Sequence, residues 1–170
     1  MIKIFGAAVL FTASYFIGST ILSTYIMRVN QLTEYSKFLS EIMLSLEYRP
    51  QDISQILSEA ADKMSQPFKD TIKQIAKCSF YYSRLSEIWK TTFLTNKKQF
   101  AVNNDEMSLI ASTGDVFSEI QKEKIINGLK LNLMRIEDLI KQAQADKKNK
   151  GQLYKRLSLL GGAALIIIII

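Results

Sequence analysis

Apolar and polar positions follow two different patterns along the chain. From Ile4 to Met27 no charged side chain interrupts 24 residues, and from Leu157 to Ile170 none interrupts 14. Between these stretches the apolar positions recur at steps of three and four, which is the spacing of one helix face. Leu32, Tyr35, Leu39, Ile42 and Leu46 follow it, as do Ile126, Leu129, Leu133, Ile136, Ile140 and Ala143. Both runs are heptad-like seams of the coiled-coil kind. Core-facing stripes of one bundle are the favoured reading, with a coiled coil to a partner as the alternative. Each long helix adjoins an uncharged stretch, so the two are expected to be antiparallel neighbours.

Shorter helices fill the interval. Pro50 is expected to end the first stripe, because the residue before proline avoids the helical region. Asp52 then opens a helix with Ile53, Ile56, Leu57, Ala60 and Met64 inward. Pro67 suits the first turn of the next, with Phe68, Ile72 and Ile75 inward. Leu85, Ile88, Trp89 and Phe93 mark a fourth. Asn103 with Glu106 has the spacing of a capping box before Met107 and Ile110. Gly114 is expected to end that helix in a left-handed turn, and the last long helix to run from about Phe117. No alternating strand pattern and no Asn-Gly or Asp-Gly hairpin turn occurs. The predicted fold class is all-α: a membrane-anchored bundle of about six helices whose long first and last helices continue into membrane segments. The expected divisions are 1–27 (transmembrane helix), 28–156 (cytosolic bundle) and 157–170 (hydrophobic membrane segment).

Length supports the first span. At ~1.5 Å per residue it reaches about 36 Å, against a hydrocarbon core of ~30 Å. The apolar run exceeds the h-region of a signal peptide, and no small-x-small cleavage site precedes Arg28. The last segment reaches only about 21 Å. Tyr154 and the stems of Lys155 and Arg156 can extend it, so insertion is favoured over an interfacial tail. The first helix also holds the small pairs Ser14/Gly18 and Ser19/Ser23, which permit close helix approach in lipid. Ordinary tolerance of small and hydroxyl residues in a membrane helix explains them equally well.

Charge changes the picture once it is counted by position. The 170 residues carry 22 Lys+Arg and 16 Asp+Glu, a net of +6, which raises nucleic acid or a membrane surface as partner. From Arg28 to Asp146, however, 16 basic residues balance 16 acidic ones. The excess is Lys3 with Lys147, Lys148, Lys150, Lys155 and Arg156. The membrane-flanking cations Arg28, Lys147, Lys148, Lys150, Lys155 and Arg156, against Lys3 alone at the far end, are expected to place the bundle in the cytosol and both termini across the membrane. The same cluster suits anionic lipid, although topology alone demands positive charge there.

The chemistry is mostly excluded. There is no His to serve as base or metal ligand, and one Cys cannot form an internal disulfide or a cysteine metal site. Phosphate-binding glycine loops and nucleophile elbows are absent from the sequence. Cys78 is expected to be a buried thiol. The adjacent carboxylates Asp105–Glu106 and Glu137–Asp138 point ~100° apart on a helix and cannot converge as acid and base. Phe80, Tyr81, Tyr82, Trp89 and Phe93 lie near Lys77, Arg84 and Lys90. That mixture can stack single-stranded nucleic acid, but core with a charged rim is preferred. No catalytic residue, cofactor, metal, nucleic acid or small-molecule substrate is expected, and the chain reads as no enzyme.

The ends resemble those of the stage III sporulation protein AB family of endospore-forming bacteria. At the start the resemblance lies in Lys3, Gly6, Gly18, Tyr25, Arg28 and Leu32. At the close it lies in Leu153, Tyr154, Lys155, Arg156, Leu157, Ser158, Leu159, Leu160, Gly161 and Gly162, followed by an apolar tail. Leu39, Ile42, Leu46 and Tyr48 look like the family's first cytosolic helix, and Trp89, Leu109, Gly114, Gln121 and Ile125 fall at matching positions. Asp52-Ile53 stands where the family places Pro-Leu, Leu109-Ile110 where it places Phe-Gly, and Val116-Phe117 where it places Ser-Asp. The resemblance implies a structural component of the assembly between mother cell and forespore. Its helical domain is similar to cytosolic domains of the inner-membrane platform protein of type II secretion and type IV pilus systems. It implies a mother-cell membrane location and partners in a secretion-type ATPase and channel proteins, with homo-oligomers possible. The exposed sides of the short helices between Asp52 and Phe117 are the expected partner surface, without residue assignments. The rival reading is a membrane-anchored regulatory or toxin-like protein acting on the bilayer through its isoleucine tail.

Overall fold

A computed structural model describes the backbone of every residue except 1, 49–51, 79–83, 120 and 170. The side chains of 2–5, 7, 8, 10, 11, 165, 166, 168 and 169 are also outside the description. The chain is all-α, with no strand among the described residues. In order the helices are α1 (Ile2–Tyr48), α2 (Ile53–Asp62), α3 (Phe68–Cys78), α4 (Leu85–Thr95), α5 (Asn104–Val116), α6 (Lys122–Asp146) and α7 (Gln152–Ile169). A 3-10 turn, Lys97–Gln99, follows α4, and a π-helical turn, Lys147–Gly151, joins α6 to α7. Among the described residues no helix is long and apolar enough to cross a membrane. The spans expected over Ile4–Met27 and Leu157–Ile170 therefore do not emerge from the described residues.

The chain divides into two compact units, residues 1–29 with 141–170, and residues 30–140. The second is the helical bundle, in which α2 packs on α3, α3 on α4 and α4 on α5. Its core is aromatic. Tyr35 stacks on Phe68 at 5.5 Å between ring centroids, and Phe68 meets Phe100 edge-on at 4.8 Å. Trp89 lies 5.2 Å from both Phe93 and Phe117. All seven aromatic rings of this cluster, Phe38 included, are buried. Burying each such ring contributes roughly 1.5–3 kcal/mol. Trp89 and Phe93 are thus core, as the preferred reading had it; Phe80, Tyr81 and Tyr82 lie outside the described residues, as does Pro50.

The core also holds polar groups, several of them joined to one another. The Trp89 indole donates to the Ile110 carbonyl at 2.8 Å, and the Tyr35 hydroxyl approaches the same oxygen at 3.5 Å. Asn132 donates to Thr113 Oγ1 at 3.3 Å, and Thr113 donates to the Leu109 carbonyl at 3.1 Å. Burial pushes the Tyr35 hydroxyl well above the ordinary tyrosine range, a hydrogen bond with Thr113 opposing the shift. This links α1, α5 and α6 through buried hydrogen bonds, which fix one arrangement because an unpaired buried group is costly.

Three expectations are corrected. Gly114 does not end a helix in a left-handed turn: it lies inside α5, and no residue with positive φ is present among those described. Its hydrogen side chain is needed because a Cβ there would sit 2.7 Å from the Trp89 Cβ. Phe117 does not start the last long helix; it is the buried C-cap of α5, and α6 begins at Lys122. Cys78 is exposed. It stands three residues after Ile75, at the edge of the inward face formed by Phe68, Thr71, Ile72, Ile75 and Ala76, but it is the last residue of α3, where the helix ends.

The capping box at α5 forms as expected. The Asn103 side chain accepts from the Glu106 amide at 2.8 Å, and Glu106 Oε2 accepts from the Asn103 amide at 2.7 Å. Glu106 is thereby buried with its charge turned on the positive end of the helix. Asn103→Ala is expected to cost about 1 kcal/mol, within the ~0.5–2 kcal/mol range of lost caps, read as a lower midpoint in urea at unchanged slope.

Candidate functional site

No catalytic constellation is legible in the sequence, so the candidate site is the unit that carries its charge excess and its apolar ends. Within residues 1–29 and 141–170, α1 runs antiparallel to the π-helical turn and α7. The contacts descend in register: Ser14 against Gly162, Gly18 against Ser158, and Leu22 and Tyr25 against Gly151. A Cβ at Gly162 would lie 2.7 Å from Ser14 Cβ, and one at Gly18 would lie 2.9 Å from Ser158 Cβ and 3.1 Å from Lys155 Cα. Real Cβ atoms do not approach so closely, so these glycines set the spacing of the pair. The Ser158 hydroxyl also donates to the Ser14 carbonyl in a very short bond. Of the four small residues singled out on the first helix, Ser14 and Gly18 stand at this seam. Ser19 is half-buried and Ser23 exposed.

The matching half of the seam, Ser158 and Gly162, was legible as another small pair four residues apart, and sequence reasoning passed over it. Both residues stand in the Leu153–Gly162 segment, directly after the basic pair Lys155 and Arg156.

Hydroxyls elsewhere on α1 fold back onto their own helix. Thr12 donates to the Val9 carbonyl, Thr20 to Phe16 and Thr24 to Thr20, at 2.9–3.2 Å. This satisfies them without solvent. Around them large apolar side chains face outward: Phe16 is 68% exposed, Ile17 60%, Leu160 67% and Ile167 79%.

The flanking cations gather at one end of this pair. Arg28 bonds Asp146 at 2.9 Å, and Lys150 reaches the other Asp146 oxygen at 2.8 Å. Hydrogen bonds from Lys150 and Arg28 hold the Asp146 carboxyl below the usual carboxylate range, and the same pairing raises the Lys150 ammonium. Lys155 lies over the Tyr15 ring, 5.6 Å from its centre. Lys148 and Arg156 are exposed, and Lys147 half-buried. Because the folded Asp146 has the lower pKa, its stabilising effect is complete above the unfolded value near 3.8 and is lost as pH falls below it. Asp146→Asn should accordingly flatten the stability profile of this unit below about pH 4, as followed by circular dichroism across an acid titration.

In the bundle, the predicted seam residues Leu32, Tyr35, Leu39, Ile42, Leu129 and Ile136 are buried, while Leu46, Ile126, Leu133 and Ile140 are half-buried. The buried stripe of α6 passes through Asn132 rather than Leu133, because Asn132 is drawn inward by Thr113. Of the adjacent carboxylates, Glu106 serves the α5 cap while Asp105 is exposed, and Glu137 and Asp138 both face solvent. At the departure Val116-Phe117, Val116 presses on Gly128, where a Cβ would lie 2.7 Å away. Asp115 beside it accepts a very short bond from the Ser86 hydroxyl. At Asp52-Ile53, the Asp52 carbonyl caps α2 by accepting from Gln55 and Ile56, and Ile53 is buried.

Comparison with known proteins follows this architecture. No curated protein matches the chain. A solved structure of a stage III sporulation protein AB superposes with a TM-score of 0.66 at 12% identity, covering 72% of this chain and 98% of that one. At that identity the likeness speaks for the fold. The family model described as stage III sporulation protein AB matches residues 3–170. The chain belongs to the stage III sporulation protein AB family.

Proposed function

We propose that the protein is a membrane-anchored, non-catalytic platform in a sporulation-specific secretion or channel complex, linking a cytosolic secretion-type ATPase to the channel between mother cell and forespore. Family membership supports a sporulation-specific component. The observation that carries the rest is the helix pair: two uncharged stretches packed on small residues, apolar outside, with basic residues collected at one end. Exposed apolar surface of this kind is favourable against lipid and unfavourable in water. The basic end favours the cytosolic side. The bundle, with its core closed by aromatic packing, suits binding and transmission rather than turnover. Partners are held on its surface, and location in the mother-cell membrane follows from the same reading.

The test uses the tagged full chain, extracted in mild detergent from sporulating cells. We expect it to resist alkaline carbonate extraction from membranes and to co-purify a secretion-type ATPase after crosslinking. Release by carbonate would remove the anchor. Retention in the membrane without any ATPase or channel protein would remove the platform role.

A further inference from the structure

We propose that Lys147, Lys148 and Arg156 form a recognition surface for the acidic headgroups of phospholipids. The inference rests on the membrane-anchored reading of the helix pair. Its first ground is a charge imbalance confined to one unit. Residues 1–29 and 141–170 carry eight basic side chains and one acidic side chain, Asp146. Residues 30–140 carry 14 basic and 15 acidic, so the whole excess belongs to the helix pair.

The second ground is how the one acid is used. Asp146 is taken by Arg28 at 2.9 Å and by Lys150 at 2.8 Å. The Lys155 ammonium is placed over Tyr15. No further acidic side chain exists in the unit to neutralise Lys147, Lys148 and Arg156. Orientation at insertion needs only a count of Lys and Arg. A lasting contact with headgroups needs cations left unpaired at the depth where the apolar surface begins, and these meet that condition. Arg156 directly precedes Leu157, which with Leu153 and Leu160 is exposed.

The third ground is chemical fit. Lys147 and Arg156 are nine positions apart, about 13 Å along a helix, so the three cations span one leaflet's headgroup layer of about 5–7 Å and the water just above it. The Arg156 guanidinium can grip a phosphate with two parallel hydrogen bonds, while the lysines act as point charges. The adjacent cations Lys147 and Lys148 repel each other in water, and a sheet of phosphates relieves that repulsion. Each cation near an acidic leaflet strengthens association on the order of five-fold. Three acting independently would multiply to on the order of a hundred-fold; because they share the same screened leaflet charge, about ten-fold is the expectation.

The experiment reconstitutes the full chain in phosphatidylcholine vesicles with a trace of spin-labelled phosphatidylglycerol or spin-labelled phosphatidylcholine. Electron paramagnetic resonance then measures the lipid held at the protein. We expect about ten-fold preference for the acidic label at low salt, falling strongly in roughly 0.5 M sodium chloride. Lys147→Gln/Lys148→Gln/Arg156→Gln should abolish the preference at unchanged helix content, whereas Lys90→Gln/Lys97→Gln/Lys98→Gln, equal in charge removed, should keep it. Equal holding of both labels by the wild type, or a preference that survives the first triple variant, overturns the inference and leaves the anchor standing. Absence of any held lipid overturns the anchor and the inference together.

Discussion

Replacing Trp89 by alanine is expected to cost the bundle about 3–5 kcal/mol, the range of large aromatic truncations in cores. Trp89 is fully buried and packs on Phe93 and Phe117 at 5.2 Å, so no flexible neighbour stands ready to fill the space. The loss also strips the Ile110 carbonyl of its 2.8 Å donor, leaving the longer approach of Tyr35. For a unit of this size 1 kcal/mol shifts the midpoint by roughly 4–6 °C, so a fall of about 12–30 °C is expected in a thermal melt followed by circular dichroism. Gly114 gives the result a second check. Gly114→Val should itself cost about 1–3 kcal/mol, because its Cβ would fall 2.7 Å from Trp89 Cβ and 2.9 Å from Cγ. In the Trp89→Ala background the Cγ clash disappears, and the added cost of Gly114→Val should shrink. Strict additivity of the two changes would contradict the packing described.

Gly162→Leu is expected to separate the helix pair. Its Cβ would stand 2.7 Å from Ser14 Cβ and 2.8 Å from Ser14 Oγ, close to the backbone of α1 rather than at the tip of a flexible chain. Overpacking of this kind costs about 1–3 kcal/mol. In lipid the effect is felt fully, because association there depends on close packing rather than on escape from water. Spin labels at positions 13 and 160, in a Cys78→Ser background, should report a longer distance in the variant than in the parent. Gly161→Leu is the control, since nothing lies within 4 Å of a Cβ at Gly161. An unchanged distance in Gly162→Leu would show that the helices do not meet there.

Much of the bundle was legible because its signals are local. Steps of three and four picked out Leu32, Tyr35, Leu39 and Ile42, all buried, and the Asn103–Glu106 spacing foretold a capping box that forms with both bonds. The misses share a cause. Gly114 looks like a helix end when only its neighbours are considered; its reason is Trp89, 25 residues away in sequence. Asn132 looks like a surface residue until Thr113 is placed opposite it. Phe117 carries no local mark distinguishing the start of a helix from the cap of the preceding one. Cys78 misleads in the same way: a step of three from Ile75 puts it at the edge of the inward face, yet it is the last residue of α3 and is exposed.

The candidate site was legible in part. Charge position marked Arg28 and the cluster from Lys147 to Arg156. The seam at Ser14, Gly18, Ser158 and Gly162 was half visible, because a small residue shows its partner only when the facing helix is in register. The single acid that holds two of the cations could not be weighed before Asp146 was placed beside Arg28.

The aromatic core has an optical consequence. Trp89 is the only tryptophan in the chain, and it is enclosed among Phe38, Phe93 and Phe117 in residues 30–140. Its emission should be blue-shifted in the native protein and should report that unit alone. The helix pair contributes no indole, so unfolding of the bundle can be followed by fluorescence in detergent or vesicles while the apolar ends remain silent. A red shift with the helix pair still intact would then mark a protein whose bundle has opened alone.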